Sequence, residues 1–220
     1  MFEMMISQEM KQVWPETALG CIRARVRVEE SCAELCRELE TYCAALQQSL
    51  QLDGITALPA VADGREAYKK LGKAPSKYRL SSEALLRRVL QGKGVYRINN
   101  VVEINNLLSL KSKFPVGSYD LAKVETPLLL RPGRNGEQYQ GIGKAEINIE
   151  NLPLLCDASG CFGSPTSDSE RAMIMPEAEE IMLCIYSFSG KAGLNEHLAE
   201  AQNLLEKYAF AREIEMDIFE

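Results

Sequence analysis

The chain has 220 residues, 46% of them hydrophobic and 25% charged, which suffices for a sizeable core without covalent staples. That balance excludes disorder, a collagen-like repeat and a fibrous coiled coil, and no apolar run approaches the roughly 18 residues of a membrane span. The net charge of −6 speaks against bulk electrostatic binding of nucleic acid.

The first twelve residues carry Glu3, Glu9 and Lys11 and lack a basic-then-apolar export layout, so a cytoplasmic protein is expected. Leu19–Val28 alternates Ile22, Ala24, Val26 and Val28 with Cys21, Arg23, Arg25 and Arg27, the pattern of a half-buried strand with a polar outer face. Glu29–Leu52 reads as a long amphipathic helix with Leu35, Leu39, Leu46 and Leu50 near one stripe. Ala57–Leu71 reads as a second helix stopped by Gly72, and Pro75 makes the following stretch a loop. Ser81 or Ser82 is the expected N-cap of a helix over Glu83–Gln91, with Leu85, Leu86, Val89 and Leu90 inward and Arg87 and Arg88 mostly on the other side. Asn99 or Asn100 caps the next helix, which runs to about Leu110 and is broken sharply by Phe114-Pro115-Val116-Gly117.

Strand signals then take over, at Pro127–Arg131, Gln138–Ile142, Ala145–Ile149, Pro153–Cys156 and Glu180–Phe188, before a final helix over Asn195–Phe210 and an edge strand over Ile214–Phe219. Helices first and mainly antiparallel strands later indicate an α+β fold, with helices of the N-terminal half covering a multi-stranded sheet assembly. No repeat or low-complexity linker interrupts residues 1–220, so a single domain is expected.

Seven cysteines, an odd number without a CxxC pair, give neither a simple disulfide framework nor a zinc ribbon. Cys32, Cys36 and Cys43 fall at helical spacing, and Cys156 and Cys161 flank a turn as strand residues, so reduced structural thiols are expected. With His197 the lone histidine, no metal site and no cofactor are expected. Phosphate-loop, dinucleotide, nucleophile-elbow and zincin motifs are absent from the sequence. Gly141-Ile142-Gly143-Lys144 reads as a hairpin turn, and Asp168-Ser169-Glu170-Arg171 as a polar loop.

The charge is segregated. From Arg65 to Lys113 twelve Lys and Arg stand against Glu66, Glu83 and Glu103, a net of +9 that leaves −15 on the remainder. Such a segment is either the footprint of a polyanion partner or the solvated sides of two helices.

Three stretches rise above this background: Lys77–Arg88 (KYRLSSEALLRR), Ile98–Asn106 (INNVVEINN) and Phe114–Leu121 (FPVGSYDL). In this order and spacing the chain, over about residues 65–188, resembles the B3/B4 tRNA-binding and editing domain of the phenylalanyl-tRNA synthetase beta subunit, and within it the free-standing form. The resemblance implies an α+β fold and hydrolysis of tyrosine wrongly attached to the phenylalanine tRNA. It implies a pocket lined by Asn105 and Asn106, by Gly117, Ser118 and Tyr119, and by the strand holding Leu183, Cys184 and Ile185. Editing synthetases carry threonine where Asn105 stands, histidine where Gly117 stands and glutamate in the place of Cys184, so substrate or chemistry differs here.

Ester hydrolysis needs a positioned water and donors toward the developing oxyanion rather than a side-chain nucleophile, and the Asn105 and Asn106 amides are the candidates. Lys73, Lys77, Arg79, Arg87 and Arg88 are candidate phosphate contacts, and Tyr78 and Tyr96 candidates for stacking on unpaired bases. The partner so implied is tRNA or aminoacyl-tRNA. The readings left standing are a trans-acting deacylase, a module that binds an amino-acid-like ligand or RNA without turnover, and a protein-interaction scaffold.

Overall fold

A computed structural model describes residues 3–220. The N-terminal part runs β1 (Met4–Ile6), α1 (Gln8–Val13), β2 (Ala18–Arg25), α2 (Ala33–Ser49), α3 (Pro59–Lys70), α4 (Ser81–Leu90) and α5 (Asn100–Ser112). Seven strands follow: β3 (Val116–Asp120), β4 (Leu128–Pro132), β5 (Gln138–Gln140), β6 (Glu146–Asn148), β7 (Pro153–Asp157), β8 (Gly160–Gly163) and β9 (Glu180–Ser187). The chain then closes with α6 (Leu194–Ala209) and β10 (Arg212–Phe219).

The strands form one sheet of order β10-β2-β9-β3, antiparallel throughout, and another of order β1-β4-β7-β8, in which β1 pairs parallel with β4. A separate β5-β6 hairpin stands apart from both. The fold is α+β: α5 and α6 cover one face of the first sheet, and the second sheet lies against the other. Successive β2 residues show this division. Gly20 faces α6, where a Cβ would sit 3.3 Å from Leu198, while the Cys21 thiol approaches Met4 of β1 at 4.0 Å.

Coverage on both faces corrects the expected polar outer face of β2. Residues 18–22 are all buried, and only Arg23 and Arg25 reach solvent, beside Glu180 and Glu179. The parallel pairing of β1 had no counterpart in the sequence reading. Edge placement of the last strand was expected and is observed, since among the described residues β10 pairs with β2 alone.

Helix ends show how local chemistry sets position. The Asn99 side chain accepts from Val102 N at 2.9 Å and caps α5. Asn100 does different work: buried, it donates to the carbonyls of Arg27 and Tyr208 and accepts from Glu29 N, tying α5 to the ends of β2 and α6. At the other end Lys113 adopts a left-handed conformation (φ +68°) and Ser109 Oγ donates to Phe114 O, turning the chain into β3.

Four further expectations need correction. The helix expected from Glu29 begins at Ala33, with Cys32 exposed at its N-cap and Cys36 and Cys43 half-buried. Ser81 and Ser82 lie inside α4, whose N-cap is Leu80, because Ser81 N is bonded to Pro165 O and Ser82 is packed inward. The Phe114-Pro115-Val116-Gly117 segment does end the helix, which stops at Ser112, but its second half, Val116 and Gly117, is already β3. Finally, Cys156 and Cys161 are not reduced thiols. They stand opposite each other across the β7-β8 hairpin and form a disulfide.

Candidate functional site

α4 and α5 lie side by side. A turn through Gly92 (φ +73°) and Gly94 (φ +60°) leads out of α4, and both glycines occupy backbone space that other residues avoid. Beneath that turn is a hollow of about 540 Å³. Its cationic lining is Arg79, Arg87 and Arg88 from α4 and its approach, Lys93 from the turn and Lys144 from the β5-β6 hairpin. Asn105 and Asn106 of α5 supply amides, and Tyr96 stands on the rim. No acidic side chain lines it.

The arginines are partly balanced from below. Glu83 is fully buried and accepts from Arg65 Nη1 at 3.1 and 2.9 Å and from Arg87 Nε at 3.0 Å, with Arg79 Nε 3.9 Å away. Arg88, Lys93 and Lys144 have no carboxylate partner among the described residues. Five cations with no acid on the lining leave the hollow positive, and low-dielectric walls strengthen such a field.

The basic segment therefore converges only in part. Arg97 is spent on Glu40 and Glu103, Lys111 on Glu38 and Glu200, and Lys69 on Glu66. Lys73 lies away from the hollow. It is buried, donates to Asn148 Oδ1 at 3.2 Å and to the Glu150 carbonyl, and sits 4.0 Å above the Tyr78 ring, where burial lowers its pKa. Lys77 is exposed beside the same ring and does not line the hollow.

The two asparagines differ. Asn105 Nδ2 donates to Val116 O at 3.1 Å and its Oδ1 accepts from Ser118 Oγ at 2.9 Å, so its amide fastens α5 to β3. Asn106 is half-buried on the lining, and its amide has no hydrogen-bond partner among the described residues. Gly117, Tyr119 and Cys184 do not line the hollow and are buried on the far side of the sheet, toward β8. A Cβ at Gly117 or at Gly163 would collide with the Tyr119 hydroxyl, so the space beside Gly117 is filled by the protein's own ring. The Cys184 thiol is 2.9 Å from that of Cys21, and burial pushes its pKa well up.

Around Tyr119 lies a polar network that the sequence did not reveal. Tyr119 Oη donates to Asp168 Oδ1 at 2.8 Å and is 2.6 Å from Tyr186 Oη, and Ser164 N donates to the same carboxyl oxygen at 3.0 Å. Burial pushes the Asp168 carboxyl up to about 6, against the opposing pull of these donors and of Lys144. Burial and the neighbouring Asp168 carboxylate push both tyrosines well above their ordinary range. Arg171, of the same polar loop, is bidentate to Asp157.

Lys93 and Lys144 carry no motif that marks them as site residues. Lys93 belonged to the basic segment, but nothing local in the sequence carries Lys144, in its hairpin, to the side of α4.

A family model, the B3/4 domain, matches residues 63–217. The phenylalanine–tRNA ligase beta subunit of Rhodopirellula baltica is 27% identical over 111 residues, covering 46% of this chain and 16% of that protein. The chain thus spans a small part of that relative's length. Among solved structures, an N-terminal fragment of the phenylalanyl-tRNA synthetase beta subunit from Pyrococcus horikoshii is similar over 98% of this chain and 50% of that one, at 12% identity and a TM-score of 0.42.

Proposed function

Since the chain belongs to the B3/4 domain family, we propose that the hollow between α4 and α5 binds tRNA through its phosphates. One observation carries this reading: Arg79, Arg87, Arg88 and Lys93 of the basic segment are joined by Lys144 from the β5-β6 hairpin around a hollow whose lining holds no acid. Phosphate contacts of this kind position a nucleic acid without reading its sequence. The synthetase named among the relatives makes tRNA the natural polyanion to test first.

Hydrolysis of an aminoacyl ester is a second reading, favoured by Asn106 alone. Its unpartnered amide faces the space an RNA end would enter, and is free to hold a water or an ester carbonyl. Asn105 supports orientation only, since both its amide atoms are engaged within the protein.

The experiment is a pair of assays on the same protein. Binding of uncharged tRNA is measured by fluorescence anisotropy, and loss of charge is followed on a panel of aminoacyl-tRNAs. Salt-sensitive binding that weakens in Lys93→Ala and Lys144→Ala supports the interface, and salt-insensitive binding or none overturns it. Protein-dependent deacylation that disappears in Asn106→Ala supports the second reading, and binding without deacylation leaves a module without turnover.

A further inference from the structure

Tyr96 differs from every other tyrosine described above. It is 58% exposed, lies outside the hydrophobic core and stands on the rim of the hollow, whereas Tyr78 is half-buried beneath Lys73. The Arg88 guanidinium carbon lies over one face of the Tyr96 ring, 4.0 Å from its centroid, and Arg88 Nη1 reaches the phenol oxygen at 3.4 Å. With one face covered and more than half the residue in solvent, the opposite face is open. Arg88 Nε is itself buried and without a hydrogen-bond partner, so the guanidinium is held by the ring rather than by a carboxylate.

The ring is pre-oriented by a cation at the mouth of a positive hollow. We propose that the open face of Tyr96 stacks an unpaired nucleobase, backed by Arg88, while Lys93 and Arg87 hold the flanking phosphates. This rests on the RNA-binding reading and deepens it, because it adds a subsite for the base to one for the backbone. Every base offers a π-face, so the subsite tolerates sequence but requires a base, and it excludes paired strands whose bases are already stacked. Arg88 strengthens the stack by drawing the ring into a cation–π pair and fixing its tilt.

The test uses a short fluorescein-labelled single-stranded oligoribonucleotide and its abasic counterpart of the same length and charge, titrated at several salt concentrations. The intact protein should bind the base-bearing strand about tenfold more tightly than the abasic one, the size expected for one stacked base. Tyr96→Phe should retain the preference, and Tyr96→Ala should abolish it while leaving the salt slope unchanged. Equal binding of both strands by the intact protein overturns the stacking subsite and leaves the phosphate interface standing. So does a preference that survives in Tyr96→Ala. Absence of binding to either strand overturns the RNA reading together with the subsite.

Discussion

Replacing Glu83 by glutamine removes the one negative charge among three guanidinium groups. The carboxylate is fully buried and accepts three hydrogen bonds from Arg65 and Arg87. Bonds involving a charged group contribute about 1.5–3 kcal/mol each, and deleting one member of a buried ion pair costs about 3–5 kcal/mol. Two features pull the expectation to the lower end. Arg65 and Arg87 keep 22% and 30% of their side chains in solvent, and glutamine retains one acceptor oxygen. Glu83→Gln should therefore lower the unfolding free energy by about 2–3 kcal/mol, seen in urea as a lower midpoint at unchanged slope. In a thermal melt the same change is a drop of about 4–12 °C for a chain of this size. Arg87 is meanwhile released toward the hollow, so tRNA affinity of the folded variant should hold or rise. A midpoint that does not move, or binding lost from protein that is still folded, would refute the assignment of Glu83 as the balancing charge.

Four further outcomes follow from the same geometry. Asp168, raised to about 6 from an unfolded value near 4, binds its proton more tightly in the native state, so its contribution is present at low pH and is lost as pH rises from about 4 to 6. Asp168→Asn should gain up to about 3 kcal/mol relative to the parent between pH 4 and pH 7, and parallel pH profiles by chemical denaturation would contradict this. Asn105→Ala strands the Val116 carbonyl and the Ser118 hydroxyl and should cost about 1–3 kcal/mol in the same assay. Asn106→Ala breaks no bond and should stay within about 0.5 kcal/mol of the parent while weakening whatever the hollow holds. Lys73→Met should destabilise the chain with no change in tRNA affinity, and reduced affinity in the folded protein would return Lys73 to the interface.

The sequence announced its elements wherever periodicity and end signals agreed. The Asn99 cap, the Gly72 stop and the alternation in the β2 region all fixed segments within a few residues. It misplaced those whose role is set by distant contacts. Ser81 and Ser82 carry N-cap chemistry, yet pairing with the Pro165 carbonyl starts the helix one residue earlier. Cys156 and Cys161 become a disulfide only through hairpin register, which composition does not encode. For the site, the basic segment and the asparagine pair pointed to α4 and α5, but local patterning could not separate Arg88, free of carboxylates, from Arg97, which is paired twice. Nor could it show that the ring of Tyr119 packs against Phe162 and Gly163, since that needs β3 and β8 to meet.

The most direct measurement is the slope of log affinity for uncharged tRNA against log salt concentration, for the parent and for Arg88→Gln/Lys93→Gln/Lys144→Gln. At about 0.7 to 0.9 per phosphate contact, the five cations predict a parental slope of about −3.5 to −4.5, and the triple variant should lose about 2 to 3 of it. A flat parental dependence, or a slope the triple variant leaves intact, would contradict the assignment of this hollow as the phosphate-binding surface.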